Sequence, residues 1–206
     1  MPLISLIDAG YKYPGTGKWV FRHYDLGVET GEAVRIAGRN GSGKTTLLKV
    51  ISGLLELREG EFRKERHTKV AYMDQFSGEM LARDLTVGEQ IKAAALNESS
   101  RIRSLDMLDE FGLDLDDRID EFVGHLSGGQ RQIVALLCTL AAGANVLCLD
   151  EFTSSMDERS MQVAEQLLEH AKMTSNIALV LVSHAAIAVK TDRELNLVSK
   201  PVPTHV

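Results

Sequence analysis

The eight residues Gly38-Arg39-Asn40-Gly41-Ser42-Gly43-Lys44-Thr45 constrain this chain more than any other stretch. They fit the spacing G-x-x-x-x-G-K-[ST], which works only where a strand runs into a tight loop and the loop opens a helix. Both neighbours are present. Residues 33–37 read as an apolar strand after the Thr30-Gly31-Glu32 turn. Residues 45–52 carry helical spacing through Leu47, Leu48 and Ile51, with Gly53 suited to the cap. Glycines 38, 41 and 43 permit turns that a Cβ would obstruct, so backbone N–H groups can converge on a phosphate at the positive helix end. Lys44 is then expected to reach the β- and γ-phosphates and Thr45 to ligate Mg²⁺, with Arg39, Asn40, Ser42 and Thr46 completing the nucleotide-binding stretch. Taken alone, the loop leaves kinases, GTPases and many ATPases open.

A second element narrows the chemistry. Val146-Leu147-Cys148-Leu149 is a fully apolar strand ending in Asp150 and Glu151. A buried parallel strand delivers such acids to the sheet end where ligands bind. Asp150 is the expected Mg²⁺ ligand, and Glu151, pointing elsewhere, the general base for an attacking water.

The strand and helix pattern implies a mainly parallel α/β sheet covered on both faces. Strands are expected at 3–9 and 26–29 in a leading antiparallel layer, then at 33–37, 70–73, 146–149, 178–183 and 194–198. Helices are expected at 130–142 and 158–171. From 86 to 124 the periodicity is helical throughout, with Gly112 ending one helix, so an all-helical insert of approximately 77–124 divides a core of 1–76 and 125–206. The uncharged run 133–149 approaches the length of a bilayer crossing, but Gly143-Ala144-Asn145 breaks it with turn chemistry; no membrane span is expected. The start of the chain lacks the basic lead and apolar run of a cleavable signal. A net charge of −6 with both signs interspersed argues against nucleic acid as the main partner. The two cysteines, Cys138 and Cys148, sit in apolar surroundings and read as buried thiols of a reduced compartment.

Leu126-Ser127-Gly128-Gly129-Gln130 then identifies the kind of nucleotide machine. Ser127 and two glycines precede a helix and present outward a second anion site, for which the ATP already held at Lys44 has no evident use. With this motif the chain resembles the ATP-binding cassette ATPases, the nucleotide-binding subunits of ABC transporters, over nearly its whole length. The resemblance implies a P-loop NTPase fold and ATP and Mg²⁺ as cofactors. It also implies a head-to-tail dimer in which Ser127, Gly128, Gly129 and Gln130 of one cassette cover the ATP of a second, identical or paralogous, cassette. It further marks Gln75 as the glutamine that senses the γ-phosphate and Mg²⁺, and Asp157 in Ser154-Ser155-Met156-Asp157 as part of the nucleotide-facing loop. His184 matches the switch histidine beside Glu151, and Tyr13 the aromatic that stacks on adenine, with Tyr11 as the competing ring.

Three departures stand out: Phe152 where the family usually has proline, Met156 where leucine is usual, and Ala185 where aspartate is common. None removes a catalytic group. The chain stops soon after His184, so no accessory C-terminal domain is expected. Separate membrane-spanning permease subunits are the implied partners, which places the chain on the cytoplasmic face of a membrane. Phe76, Met80 and Leu81 are candidate contacts with them. The alternative is a soluble cassette ATPase of chromosome, repair or translation function, though the long coiled coil or tandem cassette usual in those is not seen.

Overall fold

Two sheets of different character support the loop. The structure is a computed structural model that describes residues 2–111, 119–182 and 189–197. An antiparallel sheet combines β1 (Ile4–Tyr11), β2 (Phe21–Val28) and β4 (Glu59–Lys64) in the order β2-β1-β4. A parallel sheet combines β3 (Ala33–Ala37), β5 (Val70–Asp74), β6 (Val146–Asp150), β7 (Ala178–Val182) and β8 (Arg193–Asn196) in the order β5-β6-β7-β3-β8. Helix α1 (Lys44–Ile51) follows β3 directly after the glycine loop. Helices α2 (Val87–Ala94) and α3 (Glu98–Phe111) form the insert, and α4 (Gly128–Ala141) and α5 (Glu158–Ser175) flank β6 in sequence.

The continuous apolar runs of β6 and β7 are explained by burial on both faces. Leu147, Leu149, Leu179 and Leu181 face a core built with α4, α5 and the insert. Val146, Cys148, Val180 and Val182 face the opposite core, which includes α1 and the inner face of the antiparallel sheet. The expected α/β architecture, with a mainly parallel sheet and a leading antiparallel layer, is therefore present.

Strand β4 departs from expectation, because its sequence Glu-Gly-Glu-Phe-Arg-Lys lacks apolar alternation. It is an edge strand with no fully buried residue, held by antiparallel pairing to β1. Gly60 is required there: its φ is +81°, and a Cβ would lie 2.4 Å from the Asp8 carbonyl oxygen. No helix among the described residues is long and apolar enough to cross a membrane. Gly112, His184 and Ala185 fall outside the described residues.

Candidate active site

Helix α1 starts without a side-chain cap. Gly43 occupies its N-cap in a left-handed conformation, φ 100°, and a Cβ there would strike Val20 Cγ1 at 2.3 Å. Leu47 is the first residue to donate an intrahelical bond, to the Gly43 carbonyl at 2.8 Å. The N–H groups of Gly43, Lys44, Thr45 and Thr46 therefore have no carbonyl one turn earlier to receive them. The Ser42 N–H is used locally, donating to Arg39 O at 3.0 Å. Lys44 is buried and folds over the loop, its Nζ donating to Gly38 O at 2.9 Å and Arg39 O at 3.2 Å. A cation and several unpaired N–H groups thus meet at one helix end, the arrangement that binds a phosphate.

They border a cleft of about 410 Å³ that is also lined by Tyr13, Val20, Asn40, Gly41 and Glu151. The two tyrosines differ in burial: Tyr11 is 2% exposed in the core and Tyr13 is 42% exposed at the cleft. Tyr13 packs edge-on against Tyr11, with centroids 5.1 Å apart, and its hydroxyl hydrogen-bonds with Thr46 Oγ1 at 3.0 Å.

The two acids after β6 have separate surroundings. Asp150 is buried; its Oδ2 accepts from the Tyr72 hydroxyl at 2.8 Å, and Oδ1 is buried without a hydrogen-bond partner. Burial first, and then this bond to Asp150, raises the Tyr72 phenol above its usual range, so it stays protonated as a donor. A buried carboxylate oxygen lacking a donor is unfavourable by itself but fits a divalent cation. Thr45, exposed on the cleft wall, carries a hydroxyl oxygen of the kind that can ligate Mg²⁺. Glu151 has a left-handed backbone, φ 51°, fixed by its N–H donating to Val182 O at 2.8 Å. That turn sends the chain out of the sheet and places Glu151 at the cleft.

Other expected site residues lie elsewhere. Gln75 does not line the cleft; its Oε1 accepts from Ser154 Oγ at 2.8 Å and its carbonyl from Ser155 Oγ at 3.2 Å. The side-chain oxygen expected to approach Mg²⁺ is therefore engaged by the loop after β6. Asp157 caps α5, accepting from the Ser160 N–H and hydroxyl, both at 2.9 Å, and these bonds hold its carboxyl below the usual range. Ser127 caps α4 through a reciprocal pair: Gln130 N–H donates to Ser127 Oγ at 3.2 Å, and Ser127 N–H to Gln130 Oε1 at 2.9 Å. Ser127 and Gly128 are exposed, and none of the residues 127–130 lines the cleft of its own chain. Gly129 is buried, and a Cβ there would come 2.5 Å from Ser160 Oγ, so the starts of α4 and α5 abut.

Sequence reasoning missed a buried hub, Gln132. Its Oε1 accepts from the Gly78 N–H at 2.6 Å, and its Nε2 donates to the Asp74 carbonyl and, at 3.4 Å, to the Phe152 carbonyl. The signal available was an amide directly before the uncharged apolar run 133–138 of α4. Phe152, in the proline position, is wholly buried in the core beside it, and Met156 packs partly buried against the same core.

Fold and cleft together define a phosphate-loop nucleotide-binding cassette. The chain matches the family model described as ABC transporter over residues 21–154 and belongs to that family. It is 31% identical to an ATP-dependent lipid A-core flippase of Alkalilimnicola ehrlichii, an alignment covering 93% of this chain and 35% of that protein. It is 33% identical to an aliphatic sulfonates import ATP-binding protein of Mesorhizobium japonicum, covering 81% of this chain and 64% of the relative. The chain thus spans between about a third and two thirds of these relatives' length. In fold it resembles the dimeric cassette MJ0796 in a post-hydrolysis state bound to ADP and Pi. The TM-score is 0.73 at 23% identity, over 94% of this chain and 93% of that one.

Proposed function

We propose that the chain is the ATP-binding and ATP-hydrolysing subunit of an ABC transporter, working as a head-to-tail pair of cassettes around two MgATP. The observation that carries this reading is that Glu151 borders the same cleft as Lys44, Thr45 and the uncapped start of α1. The α1 amides and Lys44 hold the β- and γ-phosphates, and Tyr13 receives the adenine. Thr45 and Asp150 would hold Mg²⁺, which when bound offsets charge developing on the phosphate oxygens. Glu151 accepts the proton of the attacking water, and His184 is assigned the contact to the γ-phosphate beside it.

Ser127 and Gly128 serve the opposite cassette. The Ser127 oxygen already accepts an N–H within its own capping pair, so its hydroxyl hydrogen remains to donate to a phosphate. Gln75 and Asp157, joined to the loop after β6 and to the start of α5, report nucleotide state to the helical insert, residues 77–124. Phe76 and Met80, 60% and 88% exposed at the entrance to that insert, receive a cytoplasmic helix of separate membrane-spanning subunits.

Glu151→Gln tests the reading. The variant should keep ATP affinity, lose turnover and run as a dimer by light scattering only when MgATP is present. Wild-type turnover, or a monomer at saturating MgATP with its natural companions supplied, overturns it. A pull-down from detergent extract should bring a polytopic membrane protein; ribosomes or DNA would favour the non-transport alternative.

A further inference from the structure

The parallel pairing of β5 with β6 sets Tyr72 opposite Cys148 and Asp74 opposite Asp150. Strand alternation therefore turns Tyr72 and Asp150 toward one face, the face whose core includes Val146, Cys148 and α1. The Tyr72 ring packs on that core, with Lys49 Nζ of α1 lying 5.9 Å from its centroid. Its hydroxyl donates to Asp150 Oδ2 at 2.8 Å, while Oδ1 of the same buried carboxylate has no partner.

We infer that Tyr72 is a positioning residue for the metal site: by occupying Oδ2, its hydroxyl fixes Oδ1 as the atom Asp150 offers to the divalent cation. The inference rests on the reading of Asp150 as the Mg²⁺ ligand. The physical need is rotational. The torsion that turns a carboxylate about its Cβ–Cγ bond is broad, so an Asp without a second contact samples several presentations. A phenol mounted on the neighbouring strand removes that freedom, because ring and acid are fixed in one sheet register. Loss of such an outer partner typically weakens metal binding about 10–100-fold.

Tyr72→Phe removes the hydroxyl and keeps the ring. The measurement is the dissociation constant of AMP-PNP by calorimetry, in EDTA and in saturating Mg²⁺, for wild type, Tyr72→Phe and Asp150→Asn. The ratio of the two constants reports how much the cation strengthens nucleotide binding. In Tyr72→Phe that ratio should fall about tenfold or more while the constant in EDTA stays at the wild-type value. Asp150→Asn should abolish the enhancement. If Asp150→Asn retains the wild-type ratio, the metal assignment itself fails. If Asp150→Asn loses it and Tyr72→Phe does not, the role given to Tyr72 alone is wrong. Equal weakening of Tyr72→Phe in EDTA and in Mg²⁺ would mean general loosening of the cleft and would also overturn the inference.

Discussion

Gln132 and Gly78 offer a quantitative test of how the insert is fastened to the core. Gln132→Met conserves volume but leaves the Gly78 N–H and the Asp74 carbonyl without their partner. Each abandoned backbone group costs about 1–3 kcal/mol when water cannot replace the bond. The contact to Phe152, at 3.4 Å, is long and adds little. Gly78 is buried and Asp74 only partly so, which puts the expected loss near 3–4 kcal/mol as an order of magnitude. For a chain of this size that lowers the melting temperature by about 6–16 °C.

Gly78→Ala attacks the same joint from the other side. Its Cβ would lie 2.7 Å from the Gln132 amide nitrogen and 2.8 Å from the Arg131 carbonyl carbon, both backbone atoms that cannot rotate away. Forcing that gap should cost about 1–3 kcal/mol. Since either change opens one shared contact, the double variant should lose less than the sum, by about 1 kcal/mol or more. That exceeds the roughly 0.3–0.5 kcal/mol within which independent sites add. Thermal and urea unfolding followed by circular dichroism would supply all four stabilities. Strict additivity, or a Gln132→Met melting shift below about 2 °C, would refute the idea that this amide joins the two segments.

Two further outcomes are expected. Burial pushes the Cys138 thiol up to about 12 and the Cys148 thiol higher still. A thiol reagent at pH 8 should therefore leave both untouched in the folded chain and titrate both in guanidinium; rapid labelling of native protein would contradict the buried placement of Cys138 on α4 or of Cys148 on β6. Asp157→Ala removes the α5 cap and should cost about 1 kcal/mol at neutral pH. The Ser160 bonds depress the folded carboxyl, so the part of the Asp157 contribution tied to its charge is complete above the unfolded range near about 4 and is lost as pH falls through the lower folded value. The gap between the urea midpoints of wild type and variant should narrow in acid, and a gap that does not change with pH would rule the charge-dependent part of the cap out.

Much of the candidate site was legible because its parts are local in sequence. The loop at 38–45 carries its own strand, turn residues and helix start, and the acids 150–151 end an apolar strand long enough to read alone. What escaped reading depends on distant partners. Strand β4 exists through pairing to β1 and shows no alternation of its own. Tyr72 acquires its role only when β6 is placed beside β5, and Gln132 only when α4 covers the turn at Ser77–Met80. Tyr11 and Tyr13 could not be separated by spacing, since the chain leaves β1 between them and strand alternation stops there. Gln75 matched its motif, yet the hydroxyls of Ser154 and Ser155 that hold it come from the far side of the insert in sequence.

Glu151 shows a conflict between endurance and chemistry. A left-handed backbone at φ 51° costs a residue bearing a Cβ about 1–2 kcal/mol, a cost glycine escapes. Glycine at this codon would relieve that backbone cost while removing the carboxylate and whatever contacts it makes. Any stabilisation campaign on this scaffold should hold that position fixed, since under the proposed function a glycine there would relieve the backbone and remove the base with it.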